Sequence, residues 1–91
     1  MTTDIKKLLG ITNTTTFDSI IDTYVQAAKI DLISVGVLQS VVESEPTDPL
    51  VYSAIVSYCL SLLDSEHAEL YANAYALQKD TMRHLGAYIM A

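Results

Sequence analysis

The sequence predicts an all-α fold: a compact bundle of three main helices plus a short N-terminal helix, with an irregular loop around residues 37–48. Three observations point there. Apolar residues recur at spacings of three and four along most of the chain, alternating strand patterns are absent, and the glycines and prolines sit singly between the periodic segments. At 91 residues the chain is expected to form one domain, residues 1–91, because two cores of half that size would not stand alone.

The first helix is expected at Ile5–Leu9, capped by Thr3 or Asp4 and ended by Gly10, with Ile5, Leu8 and Leu9 on one face. A polar run, Thr12–Thr16, leads into Thr15-Thr16-Phe17-Asp18, a weak capping box with Asp where Glu is usual. From there Phe17, Ile20, Ile21, Tyr24, Val25, Ala28 and Leu32 form the stripe of an amphipathic helix that closes near Gly36. Val37, Leu38, Val41 and Val42 then open the irregular loop, which turns acidic through Glu43 and Glu45. Exposed aliphatics in a loop are costly unless something covers them.

Asp48-Pro49 is a strong helix start, since Asp caps and Pro at the first position gives up no needed hydrogen bond. The helix it opens, Leu50–Leu63, carries no charge, so it is expected at the centre of the fold. Ser53, Ser57 and Ser61 line one side of it with small groups that admit a close neighbour, from the same chain or another. The last helix is expected over Glu66–Leu85, with Tyr71, Ala74, Tyr75, Gln78, Met82 and Leu85 inward, acids in its first turn and Arg83 and His84 near its end. Gly86 stops it, and the apolar tail Ala87–Ala91 either docks or frays.

Composition narrows the function. Hydrophobic residues make up 51% of the chain, and mean hydropathy is +0.30, more apolar material than a lone small helical domain hides with ease. The surplus points to a subunit interface. The formal net charge of −6, with only five scattered Lys and Arg, excludes tight binding to nucleic acid or an anionic membrane by a single copy. No uncharged stretch reaches the length of a membrane span, and Met1–Asp4 lacks the features of a signal peptide, so a soluble, intracellular product is expected.

No catalytic, cofactor or metal site is expected. Cys59 lies in the uncharged helix, where thiols are usually inert packing groups, and a single cysteine forms no internal disulfide. No Gly-x-Ser-x-Gly elbow or glycine-rich phosphate loop occurs. His67 and His84 project in different directions from one helix, which suits solvated or capping roles. Asp18 and Asp22 project together, but their neighbours mark an exposed face and not an acid–base pair. Tyr24, Tyr58, Tyr71 and Tyr75 lie on or beside apolar stripes and read as core or interface, since base stacking needs a basic groove.

The order of segments adds more. Asp4-Ile5-Lys6-Lys7-Leu8-Leu9-Gly10-Ile11 is followed by Phe17 and Ile21-Asp22, then by Ala27-Ala28-Lys29, Asp31-Leu32-Ile33 and Gly36-Val37. Next come Asp48-Pro49-Leu50-Val51 with Ala54-Ile55, and finally Ala68-Glu69 with Tyr71 and Ala74-Tyr75. In this succession the chain resembles small head–tail connector proteins of tailed phages. It departs from them at the turn Leu63-Asp64-Ser65-Glu66, where aromatic and Gly residues are common in that family.

The resemblance implies a structural subunit of the virion head–tail junction, made in the bacterial host cytoplasm. It would join about a dozen copies of itself in a closed ring. Such a ring docks under the portal protein, extends the DNA channel and receives the next tail or connector component. DNA would pass without specific binding, and no membrane or cofactor takes part. Val37, Leu38, Val41 and Val42 with Ser53, Ser57 and Ser61 are the candidate interface residues. On this reading Asp at both Val41 and Val42 abolishes the ring and spares the monomer. The alternative is a small acidic helical adaptor or inhibitor that binds one host protein.

Overall fold

The helix without charges is the one the other longer helices pack against. In the computed structural model, which describes residues 1–10 and 17–90, six helices follow in order: α1 (Thr2–Leu9), α2 (Asp18–Ser34), α3 (Gln39–Val42), α4 (Pro49–Leu63), α5 (Ala68–Arg83) and α6 (Gly86–Ile89). The architecture is all-α, and among the described residues no strand occurs. Helix α4 touches α1, α2 and α5, and its most extensive contact is with α5. Val51, Ala54, Ile55, Ser57, Cys59 and Leu60 of α4 are buried. Each aliphatic side chain taken fully out of water there contributes about 1.5–3 kcal/mol.

Asp48 starts α4 as expected, its side chain accepting hydrogen bonds from the Leu50 N–H (2.9 Å) and the Val51 N–H (3.2 Å). Ser53 meets Gln78 and Tyr58 meets Tyr75, so α4 and α5 run antiparallel. Across α4, α2 contributes Ile21, Val25, Ala28 and Leu32 to the same core. Helix α1 adds Ile5 and lies against both α2 and α4.

The ends of the helices depart from expectation where side chains find other partners. Helix α1 begins at Thr2, with Met1 and not Thr3 or Asp4 at the cap position. Asp4 instead accepts a hydrogen bond from the Tyr52 hydroxyl (2.8 Å), and Thr2 donates to Asp22. Gly10 closes α1 in the left-handed region at φ 74°, where a side chain would be strained. Thr15 and Thr16 of the expected capping box lie outside the described residues, and Phe17 at the cap position makes no side-chain capping bond.

Helix α5 starts two residues later than expected, because Asp64 turns back to accept the His67 N–H (3.2 Å). It ends at Arg83, and Gly86 then begins the separate turn α6. The tail docks. The Leu38 N–H donates to the Tyr88 carbonyl (2.8 Å), and Tyr88 packs against the core. The stretch 37–48 is irregular except for α3, one helical turn inside it. The molecule measures 41 × 27 × 18 Å. Its least dimension is under two helix diameters of about 10–12 Å, so several helices keep an outer face that nothing among the described residues covers.

Candidate assembly interface

The seven residues expected at an interface separate into two groups. Val37 (2% exposed) and Val42 (1%) belong to the chain's own core, and Ser57 is buried as well. In this conformation they have no surface to give to a neighbour. At Val42 the reason is α3, whose single helical turn carries it into the core; Val37 is turned inward before α3 begins, its N–H donating to the Leu32 carbonyl (3.1 Å), and Ser57 lies on the buried side of α4. Leu38, Val41, Ser53 and Ser61 are half-buried. The small serine side chains admit a helix of the same chain, since the Gln78 side chain of α5 donates from Nε2 to Ser53 Oγ at 2.7 Å. Ser61 turns its hydroxyl onto the Tyr58 carbonyl (2.6 Å).

The apolar surplus appears elsewhere. Leu77 (71% exposed) and Leu70 (63%) stand on one side of α5, and Ile30 (68%) stands on α2. Leu62 and Leu8 are also exposed, Leu62 beside the α4–α5 turn. The signal was present in the spacing, since Leu70 and Leu77 are two helical turns apart and fall outside the stripe of Tyr71, Ala74, Tyr75, Gln78 and Met82. A single inward stripe accounts for the fold and leaves these leucines unexplained.

Charged groups are spent within the subunit. Lys6 pairs with Asp18 at 2.9 Å, Lys79 with Asp31 at 3.1 Å, Lys29 with Glu43 and Arg83 with Asp80 at 3.9 Å each. Only Lys7 among the basic side chains has no carboxylate within 4 Å among the described residues. No basic groove for a phosphate backbone results. Asp18 and Asp22 act as ties from α2 to α1 through Lys6 and Thr2. His67 faces Asp64, and His84 sits over the Asp80 carbonyl. Burial pushes the Cys59 thiol up to about 12, so it stays protonated and inert as a nucleophile. Among the described residues no cluster of metal-binding side chains occurs.

A partly buried polar contact joins α2 to α5. The Tyr75 hydroxyl donates to Asp31 (2.5 Å), Lys79 approaches the same carboxylate and also lies 5.1 Å from the Tyr75 ring centre. Burial raises the Asp31 pKa, but the hydrogen bonds from Tyr75 and Lys79 and the charge of Lys79 outweigh it and hold the group below its ordinary 3.8. A lowered folded-state pKa contributes stability that is complete above the unfolded value and is lost as pH falls through the folded one. Asp31→Asn is therefore expected to destabilise the subunit at neutral pH, with the gap to the native chain closing as pH drops below about 4. Thermal melts across that range check this; a gap that stays constant down to strong acid would show that Asp31 ionisation carries none of it.

A model of the phage connector protein family matches residues 1–82. The chain belongs to that family. No curated protein and no solved structure matches it. The phage connector family is structural and not enzymatic, so the subunit's task is association with other head and tail components of the phage. The matched segment contains every helix but α6 and the last residue of α5. It therefore includes the exposed leucines of α5 and the internal ion pairs of this connector protein. No helix of the described residues is long and apolar enough to cross a membrane.

Proposed function

We propose that this connector protein is the repeating subunit of a closed ring of about a dozen copies at the phage head–tail junction. The ring docks under the portal protein, extends the DNA channel and offers its far side to the next tail or connector component. Membership of the phage connector family is the observation that carries this reading. The exposed Leu70 and Leu77, two turns apart on one side of α5, add support, since they offer apolar surface that a neighbouring subunit can cover.

A ring that closes by rotation joins two different patches of each subunit. The α5 leucines form one candidate patch. The half-buried edge at Leu38 and Val41, with Ser53 and Ser61, forms the other, while Val37, Val42 and Ser57 support it from inside. DNA slides through without specific binding because the chain is acidic and three of its four lysines, Lys6, Lys29 and Lys79, are already paired.

Native mass spectrometry of the subunit mixed with the portal protein of the same phage tests the reading. The expected result is a portal-bound ring, and Leu77→Asp is expected to keep the helix content while losing the ring. A subunit that stays monomeric at every concentration and ignores the portal overturns the proposal.

A further inference from the structure

Helix α6 is a single turn with no buried residue, too short to persist without support. Besides the packing of the Tyr88 ring against the core, two polar links tie α6 to distant parts of the chain. Its Tyr88 carbonyl accepts the N–H of Leu38, the residue that precedes α3, at 2.8 Å. Its Tyr88 hydroxyl donates to Asp48, at 2.9 Å to Oδ1 and 3.1 Å to Oδ2. Met90 just beyond is 70% exposed, and Leu85 just before is 41% exposed.

Asp48 thus has two duties, since Oδ1 also caps α4 through the Leu50 and Val51 N–H groups. Those capping bonds do not need Tyr88. When α6 lifts away, α4 keeps its start, and the Leu38 N–H is the group left without its acceptor.

We propose that α6 is a detachable strap, which opens and closes over the Leu38–Asp48 edge while α2, α4 and α5 stay folded. Opening turns the Leu38 N–H and the outer side of the Asp48 carboxylate to solvent and withdraws the Tyr88 ring from the core. Elements that move in switching come from such weakly held segments. The strap does not depend on ring formation, so it is testable on the free subunit.

Amide hydrogen exchange followed residue by residue by NMR reads it directly. Leu38, far away in the chain, is expected to exchange together with Tyr88 and Met90 of the strap, well ahead of Cys59 in α4. Tyr88→Phe removes the bond to Asp48 and is expected to speed exchange at all three by about 3–10-fold. Gly86→Pro works in the other direction. Gly86 is the first residue of α6, where an N–H has no intrahelical partner, and Leu85 before it is extended at φ −100° and ψ 117°. Nothing lies within 4 Å of a Cβ placed there. Proline restricts the open strap and is expected to slow the same three amides by about 2–5-fold. Cys59 should be unchanged in both variants. The strap is disproved if Leu38 ignores both substitutions, or if Cys59 shifts in step with the other three.

Discussion

Val42→Asp is expected to unfold the subunit at room temperature, while Val41→Asp leaves it folded. Val42 is 1% exposed and sits in the core cluster, whereas its neighbour Val41 is half-buried. The Asp variant at position 42 loses about 1.5–3 kcal/mol of apolar burial. It also places a carboxylate among aliphatics, at a further cost of several kcal/mol. Together these rival the whole stability of a small domain, about 5–15 kcal/mol. At Val41 the carboxylate reaches water, and the cost should stay near 1 kcal/mol. Circular dichroism with urea titration separates the two outcomes. Native-like melting of Val42→Asp would mean that α3 does not seal the core.

Tyr75→Ala is expected to cost about 3–5 kcal/mol, comparable to removal of any large buried aromatic. The ring packs edge-on against Tyr58 at 5.2 Å between centres, and its hydroxyl reaches Asp31. Tyr75→Phe separates the two contributions. It keeps the ring and should cost about 1–2 kcal/mol, at the low end for a hydrogen bond to a charged acceptor because Asp31 keeps Lys79 and some solvent. Urea midpoints for the two variants provide the check. Equal losses would place the whole effect in the hydroxyl and none in the packing.

The fold was legible wherever one residue pattern had one physical use. Asp48-Pro49 marks the start of α4, Gly10 ends α1, and the uncharged run from Pro49 to Leu63 lies at the centre. Helix ends were harder to read when a capping side chain had a second suitor, as Asp4 has in Tyr52. The candidate interface was the least legible part. A run of aliphatics after Gly36 looks the same in sequence whether it faces a neighbour or the chain's own core. The turn at Gly36 brings Val37 inward, and the turn of α3 does the same for Val42. The serine row was equally ambiguous, and Gln78 from α5 resolves it at Ser53. Leu70 and Leu77 were overlooked because a helix with one convincing inward stripe does not call for a second.

The position of α4 along the chain has a consequence for synthesis. The surface that seals α1 and α2 is the fourth helix, and its own largest partner is the fifth. A nascent polypeptide emerging from the ribosome therefore has no lasting mate for the apolar stripe of α2 until α4 has emerged as well. Collapse then waits for α4 and is led by the α4–α5 pair, the most extensive helix contact and one made between neighbours in sequence.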